Sequence, residues 1–146
     1  MPFPLEFIVE GTPLSLQAMP ASIRRWRAKI QSAAKSRIDE QTDWYSYDER
    51  AISVTILCFL TAEMRPGDID NLAKPILDAM NRTVYPDDRC VERLLIQKIE
   101  PGSLKIEPGT FIPFSNVTEQ LALSLEATPP VVYVRIDDHL EWRRFT

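Results

Sequence analysis

Residues 67–88 read GDIDNLAKPILDAMNRTVYPDD, a stretch that combines a helical pattern with several aspartates. At about 100° per residue, its central part divides into two helix faces. One face is polar and carries Asp70, Asn71, Lys74, Asp78 and Asn81. The other face is apolar and carries Leu72, Ala73, Ile76, Leu77 and Met80. The stretch therefore predicts an amphipathic helix from about Asp68–Asp70 to about Asn81.

Pro75 helps to predict where this helix begins. A proline is tolerated near the first turn, where its missing N–H costs little. This preference predicts a helix start close to Asp70 and leaves Asp68 just outside it, at the end of the preceding loop.

Apolar and β-branched runs flank the helix and predict the rest of the fold. AISVTILCFLTA (51–62) is typical of a central strand, and VERLLIQKIE (91–100) predicts the next strand. Further strands are expected at 5–11 and 129–137, a second main helix at 23–37 and a short helix within 115–128. Such an order indicates an α+β fold, a single domain over residues 1–146 with a mixed sheet of about four strands covered by two main helices.

The charge of the chain is unevenly distributed. The formal net charge is −4, which by itself argues against a nucleic-acid partner. The predicted helix at 23–37 nevertheless has an apolar stripe, no acidic residue and six cations: Arg24, Arg25, Arg27, Lys29, Lys35 and Arg37. Removing these six leaves −10 for the remainder. The basic helix is therefore a candidate phosphate-binding surface, and the alternative is an ordinary solvated helix face.

Cysteine and histidine are too few for a zinc site. The chain has two cysteines, Cys58 and Cys90, and one histidine, His139, with no paired metal-ligand spacing. The sparse cysteines fit a reducing cytoplasm. The opening residues lack the features of a secretory signal, and no apolar run is long enough to span a membrane, so a cytoplasmic protein is expected.

Asp68 and Asp70 predict a metal site. Two carboxylates this close repel each other unless a cation lies between them, and Mg²⁺ binds a few carboxylates together with waters and phosphate oxygens. If the strand at 91–100 pairs beside the central strand, Asp88 returns towards this pair with its neighbour Asp87. Lys74 lies one helical turn beyond Asp70. These groups suit metal-assisted hydrolysis of a phosphodiester.

Each of these residues also has a structural explanation. Asp68 would serve as an N-cap, Asp70 and Lys74 as a surface pair, and Pro86-Asp87-Asp88 as a turn. A glycosyltransferase-like Asp-x-Asp motif remains open as well. An EF-hand does not fit, since Leu72 stands where an oxygen ligand is needed.

The window DIDNLAKPILDAMNRTVYPDD resembles the signature of the RusA family of Holliday-junction resolvases, which runs D-x-D-N-x-x-K-x-x-x-D-A, a short gap, and D-D. The resemblance implies a Mg²⁺-dependent endonuclease, with Mn²⁺ as a substitute. It further implies a homodimer that nicks two opposed strands of branched DNA in recombination and repair, with no membrane partner. The implied metal ligands are Asp68, Asp70 and Asp88, with Asp87 beside them. Lys74 is the implied catalytic lysine, and Asn71 and Asp78 complete the motif.

By this resemblance, Mg²⁺ held by the aspartates activates a water for in-line attack, and Lys74 offsets the developing negative charge. The main alternative is a non-catalytic module that binds branched DNA and keeps the fold. A metal-stabilised structural protein is a third hypothesis. PLSLQAMP keeps only part of the early Pro-Ser-Asn-type segment of the family, and residues 101–128 are longer than its usual connection.

Overall fold

The computed structural model describes residues 3–40, 49–63, 67–100 and 118–139. Its strands are β1 (Leu5–Glu10), β2 (Ile52–Phe59), β3 (Val91–Ile99) and β4 (Val131–Asp137). Its helices are α1 (Pro20–Glu40), α2 (Ile69–Met80) and α3 (Glu119–Glu126), and a short 3₁₀ turn spans Asp88–Cys90.

The four strands form one mixed sheet in the order β1-β4-β2-β3. β2 and β3 run parallel, with α2 as the crossover between them. β4 lies antiparallel between β1 and β2. Within the described chain, β1 and β3 are therefore the edge strands. The parallel pairing of β2 and β3 decides where the aspartate-containing stretch at 67–88 lies, because α2 must return from the end of β2 to the start of β3.

The main core lies between α1, α2 and one face of the sheet. Alternate residues of the strands point into it, including Val54 and Ile56 on β2 and Val134 on β4. α1 contributes an apolar stripe of Ile23, Trp26, Ile30 and Ala34. Trp26 is 5% exposed, as expected of a core residue rather than a base-stacking platform.

A smaller cluster covers part of the opposite face of the sheet. Leu121 of α3 packs there against a group formed by Leu57, Phe59, Ile99, Val131 and Tyr133. The sheet is thus covered on one face by two long helices and on the other, in part, by one short helix. This layered arrangement gives β2 and β4 buried residues on both faces, which explains their nearly continuous apolar sequences.

The structure confirms the predicted α+β fold with a mixed four-stranded sheet. The short helix expected within 115–128 is present as α3. α1 begins earlier than predicted because Pro20 occupies its first helical position, where proline is favoured. The predicted connection through residues 101–117 lies outside the described residues. No helix in the described part of the chain has the length and hydropathy needed to cross a membrane.

A buried carboxylate joins β1 to α3 and β4. Glu6 is 8% exposed, and its Oε2 atom accepts hydrogen bonds of 2.5 Å from both Thr118 Oγ1 and Tyr133 Oη. Thr118 is also the N-cap of α3, where its side chain accepts from the Leu121 N–H at 3.2 Å. Thr118 therefore both caps the first turn of α3 and donates a hydrogen bond to the buried carboxylate of Glu6.

Replacing Thr118 with Ala is expected to lower the free energy of unfolding by about 2 kcal/mol, because both the cap and one donor to Glu6 are lost. Urea unfolding measures this change. Thr118→Ser keeps the hydroxyl and serves as the matched control, with a loss well below that of the Ala variant. Equal stability of the two variants would contradict the assigned role.

Cys58 is fully buried on β2, and burial raises the pKa of its thiol from 9.0 to about 12, while the charge of Lys98 lowers it slightly. Between these values the unfolded chain has lost the thiol proton and the folded chain still holds it. Stability therefore falls as pH rises above 9, by about 1.4 kcal/mol per pH unit from this group.

Urea unfolding between pH 8 and 10.5 tests this contribution. Tyr85 and Tyr133 also have pKa values raised by burial and add to the alkaline loss. Because both tyrosines remain in Cys58→Ala, the difference in slope between the two proteins isolates the thiol. Parallel slopes would contradict the expectation.

Candidate active site

The first turn of α2 carries two exposed aspartates. Asp68 occupies the N-cap position, but its side chain makes no capping hydrogen bond. Asp70 lies in the first turn. Within the described residues, neither carboxylate has a hydrogen bond or an ion pair. The explanation of Asp68 as a simple N-cap therefore fails, and both carboxylates present their oxygens to solvent at the positive end of a helix.

Pro75 lies in the second turn of the helix. α2 begins at Ile69, within one residue of the predicted start near Asp70, so the predicted helix start is confirmed, although the proline lies slightly beyond the first turn. Proline cannot donate to the carbonyl of Asn71, four residues earlier. That carbonyl accepts instead from the backbone N–H of Leu16 at 2.9 Å. The loop before α1 is thereby tied to the start of the aspartate motif.

Gly67 permits the close approach of this loop. Its φ is +110°, a region that favours glycine, and a Cβ built there would lie 3.3 Å from Ser15 Cβ. Ser15 thus lies directly beside Gly67, which precedes α2, while Leu16 contacts Asn71 in the first turn of the helix. No local pattern indicates this neighbour, since the loop is about fifty residues away along the chain.

Asp87 and Asp88 lie where the chain turns into β3. Asp87 caps the 3₁₀ turn by accepting from the Arg89 N–H at 3.0 Å, so one of its oxygens has a structural role. β3 does pair beside β2, as the prediction required. Because the two strands are parallel, with Ile52 opposite Val91, Asp88 lies near the start of β2, whereas Asp68 follows its end. Asp88 consequently meets the body of α2.

Lys74 is the residue of α2 that Asp88 meets. Its Nζ lies 2.7 Å from Asp78 Oδ1 and 3.8 Å from Asp88 Oδ2. Among the residues that the structure describes, Lys74 makes no ion pair with Asp70, and Asp78 is its partner instead. The hydrogen bond to Asp78 raises the pKa of Lys74 above its ordinary 10.5, and the charge of Asp88 adds to the effect. The half-exposed ammonium is therefore a permanent cation at neutral pH.

Tyr85 holds the other oxygen of Asp88. Its hydroxyl lies 3.0 Å from Asp88 Oδ1 and 3.2 Å from the carbonyl oxygen of Leu77, and its side chain is nearly fully buried. Burial and the adjacent Asp88 both raise the pKa of this phenol, so it remains a hydrogen-bond donor. Tyr85 was not among the residues that the sequence motif predicted for the site. Its only signal was a hydroxyl three residues before a motif aspartate.

The basic helix reaches the same cluster through Arg27. Its guanidinium lies 3.9 Å from Asp78 Oδ2, so Asp78 lies between the cations of α1 and α2. Gln31, one turn further along α1, donates to Thr83 at 2.9 Å. These contacts show that the flank of α1 with Arg27 and Gln31 faces α2. By helical geometry, Arg24 and Lys35 lie on this flank.

The remaining cations of α1 lie elsewhere. Arg25 and Lys29 are exposed on the opposite flank of the helix. Arg37 is engaged structurally, donating from Nε to the Glu6 carbonyl at 3.1 Å and pairing with Glu40 at 2.9 Å. The six cations predicted to contact phosphate thus lie on different sides of α1, and one of them, Arg37, is held in structural contacts. Their binding to DNA stays a prediction.

A comparison with known protein families identifies this arrangement. The family model described as Endodeoxyribonuclease RusA matches residues 15–107, more than half of the chain. The chain belongs to the RusA endodeoxyribonuclease family. No curated protein matched it in a search of individual sequences. The RusA match begins at the loop that contacts Asn71, contains α1, α2 and β3, and therefore includes all of the candidate site residues.

The donors of this RusA member fit a magnesium ion by their chemistry. Asp68 and Asp70 supply hard carboxylate oxygens without competing partners among the described residues, and Mg²⁺ commonly binds one or two carboxylates while keeping several waters. In the described ranges, however, no three or more His, Cys, Asp or Glu side chains are grouped to hold an ion. The full predicted ligand set of Asp68, Asp70, Asp87 and Asp88 therefore stays a prediction.

Proposed function

We propose that this protein is a Mg²⁺-dependent endonuclease that resolves four-way DNA junctions. One observation carries the proposal: Lys74, on the body of α2, and Asp88, at the turn into β3, are motif residues on separate elements that approach within 3.8 Å. A lysine fixed between carboxylates in a member of an endodeoxyribonuclease family is expected to act on a phosphodiester.

Lys74 serves as an electrostatic catalyst in this proposal. Its raised pKa makes it a poor base and a stable cation at neutral pH. When a phosphate approaches the helix, the ammonium of Lys74 stabilises the negative charge that accumulates on the phosphate oxygens in the transition state. Asp78 and Asp88 hold the ammonium in place before the substrate arrives, which avoids reorganisation during the reaction.

Asp68, Asp70 and Asp88 would hold the magnesium ion, with Asp87 beside them. When bound, Mg²⁺ would supply Lewis-acid activation of water and offset the charge of the phosphate. Tyr85 keeps one Asp88 oxygen in a hydrogen bond, and the exposed carboxylates at the start of α2 remain accessible to the DNA backbone.

DNA would approach along the flank of α1 that faces α2. Arg24 and Lys35 are exposed there, on either side of the Arg27–Asp78 contact that adjoins Lys74. Such a row brings positive charge to the edge of an otherwise acidic protein. Because cations that bind phosphates release counterions, the affinity of this row for DNA falls steeply with salt.

The double variant Arg24→Gln/Lys35→Gln is expected to bind a four-way junction more weakly. The slope of log affinity against log salt should fall by about 2, since each phosphate contact contributes about 0.9. Fluorescence anisotropy over 50–200 mM salt measures the slope. Arg25→Gln/Lys29→Gln removes the same charge from the opposite flank and is the matched control. Equal effects of the two pairs would contradict a binding face beside the active site.

The proposed reaction is tested by mapping the cuts. A junction labelled on each strand in turn is incubated with protein and Mg²⁺, and the nicked products are treated with DNA ligase. The expected result is a pair of symmetric cuts on opposed strands whose 5′-phosphate and 3′-hydroxyl ends are resealed. Tight junction binding without cuts would instead support the non-catalytic binding module. Random cuts or ends that cannot be ligated would overturn the proposed chemistry.

A further inference from the structure

Lys98 contacts the backbone that leads into the aspartate motif. It lies near the end of β3, opposite Cys58 of β2. Its Nζ atom donates a hydrogen bond of 3.2 Å to the carbonyl oxygen of Gly67. This carbonyl belongs to the peptide group that joins Gly67 to Asp68, the first aspartate of the motif. The strand that Asp88 precedes therefore also contacts the motif from its far end.

The alternation of side chains along β3 explains how Lys98 reaches this peptide group. Ile96, two residues earlier, packs against the main core beneath α1 and α2, whereas Leu95 and Ile99 belong to the smaller cluster on the opposite face. Side chains two residues apart share one face of a strand, so Lys98 projects on the side that the long helices cover. Because β2 ends beside the end of β3, this position lies next to the chain that enters α2.

Gly67 is the flexible point immediately before the motif. Glycine has more backbone freedom than any other residue, and Gly67 adopts a φ of +110°. Rotation about its backbone bonds would swing the carboxylate of Asp68 away from that of Asp70. Ser15 limits the space around the Gly67 Cα, and Lys98 fixes the direction of the Gly67 carbonyl. Two side chains from distant parts of the sequence therefore hold this peptide group.

The hydrogen bond from Lys98 holds Asp68 without occupying its carboxylate. Asp68 is the N-cap residue of α2, yet its side chain makes no capping hydrogen bond, so the helix end does not fix that side chain. Lys98 bonds the preceding backbone carbonyl instead of the carboxylate oxygens, which leaves them available to a cation. Partners that orient a metal ligand matter for affinity, and their loss commonly weakens metal binding about 10–100-fold.

We propose that Lys98 is a positioning residue that fixes Asp68 for metal binding through the Gly67 carbonyl. Lys98 acts through the backbone and is neither a metal ligand nor a catalytic group. The metal at Asp68 rests on the proposed function, whereas the restraint on the Gly67–Asp68 peptide group does not. The restraint and the metal are therefore tested by separate measurements.

Backbone amide relaxation, measured by NMR on the metal-free protein, tests the restraint. Lys98→Met keeps the aliphatic stem and removes the donor, and the order parameter of the Asp68 amide should fall from about 0.85 towards about 0.6. Lys98→Arg keeps a charged donor and should retain most of the order. Arg93→Met removes an exposed cation from the opposite face of β3 and should leave the amide unchanged. An Asp68 amide that stays ordered in Lys98→Met would overturn the proposal.

Metal affinity separates positioning from a simple charge effect. Binding of Mn²⁺ without DNA is followed by the loss of the electron paramagnetic resonance signal of the free ion. If Lys98 positions Asp68, Lys98→Met should weaken Mn²⁺ binding about tenfold, and Lys98→Arg should recover most of the affinity. If Lys98 is only a nearby positive charge, its removal should instead strengthen Mn²⁺ binding, because like charges repel. Equal or stronger binding would therefore overturn the proposal.

Failure of the proposed function gives a different pattern from failure of this inference. If Mn²⁺ binding and the Asp68 amide respond to Lys98 as expected but no junction is cut, the inference stands and the proposed function fails. If the junction is cut and Lys98→Met needs no more Mg²⁺ than the original protein, the function stands and the inference fails. The urea midpoint of Lys98→Met should match that of the original protein, because the hydrogen bond is exposed.

Discussion

Asp70→Asn is expected to reduce junction cleavage at least about 1000-fold, since loss of a magnesium ligand removes several kcal/mol of transition-state stabilisation. The substitution preserves the size of the side chain. Asp70 is exposed and has no partner in the described part of the chain, so the fold should be unaffected. Junction affinity should be equal or slightly higher, because one negative charge near the DNA is lost.

Single-turnover cleavage at saturating protein measures the rate, and anisotropy measures the affinity of the same variant. Asp39→Asn changes an exposed aspartate of α1 outside the motif and is the matched control. It should cut at the original rate. An Asp70→Asn protein that cuts normally would remove Asp70 from the site, whereas loss of binding along with cleavage would indicate a structural role.

Lys74→Met should lower the cleavage rate by about 10²–10³-fold, the usual cost of removing one group that stabilises transition-state charge. The methionine keeps the length of the aliphatic stem and loses the ammonium. Asp78 and Asp88 then lose the cation that lies between them. The effect should be on the rate of the chemical step, with a smaller loss of affinity.

Lys74→Arg distinguishes charge from geometry. An arginine restores the positive charge but presents it as a planar fork rather than a point charge. Partial recovery, between the original protein and Lys74→Met, is the expected result of a single-turnover assay. If Lys74→Met cuts as fast as the original protein, the lysine is only a surface partner of Asp78.

The amphipathic helix was predictable because its pattern is local, whereas the position of Pro75 depended on a distant residue. Sequence rules penalise an interior proline for the carbonyl that it leaves unpaired. Here the Leu16 N–H satisfies the carbonyl of Asn71. The penalty is therefore offset by a loop whose contact no local pattern reveals.

The partner of Lys74 shows the same limit. Local geometry allows a pair with Asp70 or with Asp78, four residues to either side, and an acid preceding a lysine is the better orientation. The structure selects Asp78 because the parallel pairing of β2 and β3 brings Asp88 to that side. The charge of Asp88, which the fold brings near Lys74, outweighed the local preference for a pair with Asp70. The contact between Tyr85 and Asp88 likewise depends on the fold and could not be predicted from the local sequence.

The decisive measurement of the proposed activity is the ratio of single-turnover cleavage rates on a four-way junction and on a linear duplex of the same sequence, measured with Mg²⁺ and with EDTA. For a Mg²⁺-dependent nuclease specific for branched DNA, we expect rapid cleavage of the junction and no cleavage in EDTA. The rate on the duplex should be at least about 100-fold lower, since each tenfold difference in rate requires only about 1.4 kcal/mol of differential stabilisation. Equal rates on the two substrates, or cleavage that persists in EDTA, would contradict a Mg²⁺-dependent junction resolvase.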